Sequence, residues 1–141
     1  MSNQLTSNFD WSKIFVFDNR YQIESFTNSG YVTKNLVAGT VMARYQGGTA
    51  IVPFDSTNPN ANVPLGVLTD DHEVEAGDTV KVNICTAGDV VANKLTFDNG
   101  TDDFNTNVGT APVQTVKDYL QSNNTGIKLV ASTELTSEDN Q

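Results

Sequence analysis

The feature that most constrains this chain is a series of short runs in which apolar and polar residues alternate, each closed by turn-forming residues. In Thr79-Val80-Lys81-Val82-Asn83-Ile84-Cys85, the apolar Val80, Val82 and Ile84 alternate with Lys81 and Asn83. A period of two sends successive side chains to opposite faces of an extended backbone, so this run predicts a half-buried strand. Residues 37–45 read as a turn followed by a strand, and 50–54 and 63–68 as further strands, with Pro64 near a strand start where its missing N–H does least harm. Between them, Gln46-Gly47-Gly48-Thr49 predicts a hairpin loop, because paired glycines take positive φ without steric cost. Residues 55–62 form a loop by their Asn, Asp, Ser and Pro content, and Glu75-Ala76-Gly77-Asp78 a turn. Ala87-Gly88-Asp89 is read as another turn, leading into Val90-Val91-Ala92. Strands at roughly 8–12-residue spacing with turn chemistry between them indicate a sandwich or barrel.

The ends of the chain depart from this pattern. At the start, Phe9, Trp11, Phe15 and Phe17 share one parity, and Tyr21, Ile23 and Ser25 continue as a second alternating piece. An extended backbone would place the aromatics on one face, either joining the core or gripping a partner. Near the other end, residues 98–109 read as a long exposed loop. Val113, Val116 and Leu120 then recur at helical spacing behind Pro112, predicting a short amphipathic helix. Asn123-Asn124-Thr125-Gly126 is a stop signal, 127–131 a final strand, and the last residues an acidic frayed tail.

A length of 141 residues suits one domain with a real core. Polarity comes less from charge than from 16 Asn and 17 Thr, residues of turns and strands respectively. The net charge of -9 repels phosphate backbones and anionic lipid, so neither nucleic acid nor a membrane is an expected partner. Such a charge favours solubility at high local density. The single cysteine, Cys85, rules out an internal disulfide and reads as a small buried hydrophobe. The first residues carry no basic-then-apolar signal pattern, and no apolar run approaches ~18 residues, so synthesis in the cytoplasm is expected.

Candidate chemistry is sparse. His72, in Asp70-Asp71-His72-Glu73, is the only histidine, and one His with one Cys does not make a zinc site. Asp98-Asn99-Gly100-Thr101-Asp102-Asp103 is a faint echo of a calcium loop. No Gly-x-Ser-x-Gly elbow and no phosphate-cradling Gly-rich loop is present. The expectation is a protein without catalytic residues, metal or cofactor.

The order of signatures from Ala38 to Leu95 carries a resemblance. It runs Ala38-Gly39-Thr40-Val41-Met42-Ala43-Arg44, Val52-Pro53-Phe54-Asp55, Pro64-Leu65-Gly66-Val67-Leu68-Thr69-Asp70, Ala76-Gly77-Asp78-Thr79-Val80-Lys81-Val82 and Gly88-Asp89-Val90-Val91-Ala92-Asn93-Lys94-Leu95. This series resembles the head-decoration, or capsid cement, proteins of tailed bacteriophages. Residues 115–120 and 126–130 are similar to that family's closing helix and strand, so the likeness covers about two-thirds of the chain.

The resemblance implies a mainly β fold: a small β-barrel or β-sandwich-like domain of β-tulip type, with one short C-terminal helix and an extended N-terminal arm. The implied organisation is an arm over 1–30, a decoration domain over 31–135 and a flexible acidic tail over 136–141. It implies a homotrimer on the outer surface of a virion, clamping major capsid protein subunits. Phe9, Trp11, Phe15, Phe17, Tyr21 and Ile23 would be the capsid-binding residues of the arm. Deleting residues 1–25 would then leave a folded protein without capsid affinity. The competing expectation is a carbohydrate- or receptor-binding β-module of a phage or bacterial surface structure.

Overall fold

The computed structural model describes residues 14–46, 48, 50–110, 112–122 and 126–131. The chain is mainly β with one short helix near its C-terminal end. Its strands are β1 (Phe15–Thr27), β2 (Lys34–Leu36), β3 (Val41–Arg44), β4 (Ile51–Pro53), β5 (Pro64–Leu68), β6 (His72–Val74), β7 (Thr79–Val91) and β8 (Ile127–Val130). A 3₁₀ turn at Ala92–Lys94 follows β7, and helix α1 spans Val116–Gln121.

Five strands form a path in the order β1-β7-β5-β3-β4, and β8 joins β7 in parallel to make six. A separate ribbon pairs β2 with β6. Both sheets are open rather than closed barrels. The large sheet nevertheless curls: Arg44 at the end of β3 reaches Glu24 of β1, three strands away in the pairing order.

The central strands are covered on both faces, and their sequences show why. Met42, Ile51, Leu68, Val82, Ile84 and Phe26 gather on one face, where Leu36 and Val74 of the ribbon close over them. Their chain neighbours Val41, Ala43, Val67 and Cys85 point the other way, against Phe54, Val108, Val116, Leu120 and Ile127. Each such apolar side chain contributes about 1.5–3 kcal/mol when fully buried. Strands buried on both faces read as continuous apolar runs, as in Val41-Met42-Ala43. Strand β7 changes character along its length, with Lys81 and Asn83 on an uncovered face before Ile84-Cys85 enters the double-sided core. Gly66 is required where β5 meets β7, since a Cβ there would collide with the Cys85 carbonyl oxygen.

Several sequence expectations change. Ala87-Gly88-Asp89 makes no turn: β7 runs unbroken from Thr79 to Val91. Gly88 does take φ +104°, but the strand continues, paired with Ile127 of β8 on one side. The opposing register with β1 shifts nearby, Arg20 facing Ala87 and Tyr21 facing Cys85, so glycine chemistry here marks an irregular strand. The 98–109 segment is not simply exposed. Val108 is buried, and Phe97 packs edge-to-face on Phe104 at 5.5 Å and on Phe54 at 6.1 Å between ring centres.

The helix starts later than its spacing suggests. Val108 N–H donates to the Gln114 carbonyl and Val116 N–H to the Thr106 carbonyl, which ties residues 114–116 to the preceding loop. Val113 therefore stays outside the helix, 72% exposed, and Thr115 caps the helix by accepting from the Asp118 N–H.

The N-terminal expectation divides. Residues 1–13 lie outside the described residues, as do 132–141 of the tail. From Phe15 to Thr27, however, the chain is an edge strand of the main sheet, paired with β7 from Phe15 opposite Val90 to Thr27 opposite Thr79. The pairs from Phe15 opposite Val90 to Ser25 opposite Lys81 line the edge of Val82 and Ile84, so a truncation through residue 25 removes part of the fold.

Candidate binding surface on β1 and the loop that follows

Of the six aromatic and aliphatic residues expected to grip a partner, Phe9 and Trp11 lie outside the described residues. Phe17 belongs to β1, opposite Asp89, and is described in its backbone only. Phe15 is half-buried against the core and meets the Tyr21 ring edge-on, 6.2 Å between centres. Tyr21 and Ile23 are 49% and 64% exposed. Register shifts separate Phe15 from the second alternating piece: Phe15 packs against the core, while Tyr21 and Ile23 face out.

The surface around Tyr21 and Ile23 is built by the β1–β7 pair. Ile23 stands opposite Asn83, Ser25 opposite Lys81 and Thr27 opposite Thr79. Lys81 Nζ lies 3.3 Å from Ser25 Oγ, and the Thr27 and Thr79 hydroxyls are 2.7 Å apart. This ladder carries two exposed apolar side chains, hydroxyls and one lysine, and no carboxylate. The opposite parity of β1 holds Glu24, whose carboxylate takes both Arg44 guanidinium N–H groups at 3.1 and 2.9 Å. The Arg44 hydrogen bonds hold the Glu24 carboxyl below the usual carboxylate range; partial burial opposes this, and the Gln22 amide adds to it.

Beyond β1 the chain forms a tip that sequence reasoning passed over. Asn28 is 6% exposed and every polar group it owns is engaged. Its Nδ2 donates to the Val32 and Val74 carbonyls at 2.8 Å each, and its Oδ1 accepts from the Gly30 N–H at 3.0 Å. Its backbone exchanges bonds with Asp78 and Gly77 of the facing turn. The buried amide fixes the loop so that Tyr31 is 98% and Val32 75% exposed. The available signal was Asn28-Ser29-Gly30 directly before an aromatic: turn chemistry leaves such a ring no strand face on which to be buried.

The Cys85 thiol is buried, donates to the Ala87 carbonyl and receives the Asn19 amide. Burial pushes its pKa up, away from the thiolate a nucleophile needs. His72 faces Leu36 in the ribbon, and its Nε2 is buried without a partner. Among the described residues no group of three or more His, Cys, Asp or Glu side chains is placed to hold a metal ion.

The echo of a calcium loop serves another purpose. Asp102 accepts from Ser56 N–H, Ser56 Oγ and Asn99 Nδ2 at 2.8, 2.6 and 2.8 Å, binding the 98–109 loop to the 55–62 loop. The Asp55 carboxyl is held low mainly by the Thr57 hydroxyl, then by the Thr57 N–H, and also by the Asn99 amide. Among the described residues no helix is long and apolar enough to cross a membrane. The chain matches no protein-family model and no curated protein.

Proposed function

We propose that the chain is a capsid-decoration protein of the tailed-phage kind, a homotrimer that binds the outer surface of the head and bridges neighbouring major capsid subunits. On this reading it acts by adhesion, without catalysis or cofactor. The order of signatures from Ala38 to Leu95 supplies the resemblance. The observation that carries the reading furthest is the ladder from Tyr21 to Thr27, which holds no carboxylate on its outer face, with Tyr21 and Ile23 exposed on a chain of net charge -9. A large acidic surface keeps neighbouring copies apart, and one strip with exposed apolar side chains and no carboxylate permits close contact.

Exposed aromatics are frequent anchors of interfaces, and an edge strand can extend a partner's sheet. Several modest contacts made together give a bridging protein its avidity. The test is co-sedimentation with expanded and unexpanded heads assembled from the major capsid protein of the same genome. The expected result is binding to expanded heads that weakens at least about tenfold in the Tyr21→Ser, Ile23→Ser double variant. A correctly folded protein with no affinity for heads in either state sinks the reading.

A further inference from the structure

Among the described residues, the chain carries both an exposed aromatic knob and an apolar groove, on different parts of its surface. The knob is Tyr31, 98% exposed on the loop that the buried Asn28 amide fixes. The groove has a volume of about 330 Å³ and is walled by Tyr45, Val63, Pro64, Leu65 and Tyr119. Arg44 and Gln46 supply its polar lining. We propose that the groove receives Tyr31 of a second copy of this chain, and that this knob-in-groove contact joins the copies of the assembly.

Three observations select a second copy as the occupant. The first is fit: the volume lies at the lower end of the ~300–1,000 Å³ range of ligand pockets, suited to one ring rather than an extended ligand. Tyr45 and Tyr119 offer edges and faces to that ring, and the Gln46 amide offers a donor to its hydroxyl.

The second observation is charge. Seventeen acidic residues against eight basic ones oppose contact between copies over most of the surface. The knob sits among Ser29, Gly30, Val32 and Thr33, and among the described residues no carboxylate lines the groove. A knob entering the groove of another copy therefore meets an arginine and no carboxylate among the described lining residues.

The third is preorganisation. Asn28 holds the tip through bonds to Val32 and Val74. Tyr31 then docks without the entropic cost of ordering a loop. The two surfaces differ, so the contact is heterologous: each copy uses its knob on one neighbour and its groove on the other, which builds a ring where the rotation closes. The contact rests on the proposed homotrimer only for the number of copies; it needs no capsid.

The experiment is mass measurement of the free full-length protein by native mass spectrometry and sedimentation, up to about 200 µM, since a self-contact of use in assembly falls in or below the micromolar range. Tyr31→Ser removes the knob. Tyr45→Asp places a carboxylate in the groove wall, and Gln46→Trp fills the groove from an exposed position should Tyr45→Asp fold poorly. The expected result is an assembled wild type and at least tenfold weaker association in each variant. A one-to-one mixture of Tyr31→Ser with a groove variant then forms a dimer through the single surviving contact. A monomeric wild type, or a Tyr31→Ser protein that assembles like wild type, overturns the proposal. Head binding is read separately: an assembled protein without affinity for heads leaves this contact standing and removes the capsid reading. A head-binding protein that stays monomeric in solution does the reverse.

Discussion

Asn28 shows how much one polar side chain can determine. Its amide nitrogen satisfies two backbone carbonyls and its amide oxygen one N–H, all in a nearly sealed position. Asn28→Ala leaves those groups without partners, and a buried unsatisfied group costs about 1–3 kcal/mol. The expected loss is about 2 kcal/mol in a denaturant titration. Asn28→Asp should lose at least as much, because a carboxylate cannot donate to the Val32 and Val74 carbonyls.

The Glu24–Arg44 pair makes a residue-scale prediction about pH. Glu24 is held below the ordinary carboxylate range when folded, first by the Arg44 hydrogen bonds. Its contribution is therefore fully present above the unfolded carboxylate value of about 4.3 and is lost as pH falls through the lower folded value. The Arg44 side chain is 41% exposed, so solvent limits the pair to about 0.5–1 kcal/mol despite its two-pronged geometry. Thermal melts of wild type and Glu24→Gln should differ near neutral pH and begin to converge only as pH falls below the unfolded carboxylate value of about 4.3. A difference that grows on acidification contradicts the assignment.

At the scale of elements, the sequence was most legible where one physical rule dominated. Alternation in Val80-Lys81-Val82-Asn83-Ile84 announces β7, and the double-glycine signal lies between the partners β3 and β4, which pair antiparallel. Legibility failed where a local signal was met by a longer-range contact. Gly88 has the positive φ that its turn signal implies, yet pairing with β1 and β8 carries the strand through it. Val113 has helical spacing, yet residues 114–116 bond the 106–108 backbone instead.

The helix consequently depends on Thr115 for its start. Thr115→Ala should cost about 1 kcal/mol, read as a lower unfolding midpoint. Its effect should exceed that of Val113→Ala, which removes an exposed side chain. The candidate surface was legible in part. Tyr21 and Ile23 follow from alternation, whereas Phe15 is drawn into the core by register shifts that no periodicity encodes. Tyr31 was missed because its exposure is set by a side chain three positions earlier bonding across to Val74.

For the whole molecule, the open sheet makes β1 integral. Removing residues 1–25 takes away most of the partner strand of β7 and uncovers the edge of Val82 and Ile84. The truncated chain should lose its cooperative thermal transition or become insoluble. A truncated protein that melts sharply near the wild-type temperature would show that the remaining strands form the domain alone. The double coverage of β3, β5 and β7 points the same way, since neither cluster closes without segments distant in sequence.

That β1 pairs with β7 along its whole length has a consequence in time. Of the described strands β1 is made before the others, but its partner follows about fifty residues later, so β1 waits for its sheet. The loop between them must close before any β1–β7 hydrogen bond rewards it, a cost that grows only slowly with loop length but cannot be avoided. Strands β3, β4 and β5 meet across short connections and can pair while β1 is still solvated. The surface bearing Tyr21 and Ile23 thus exists only once β7 has been made and has paired with β1.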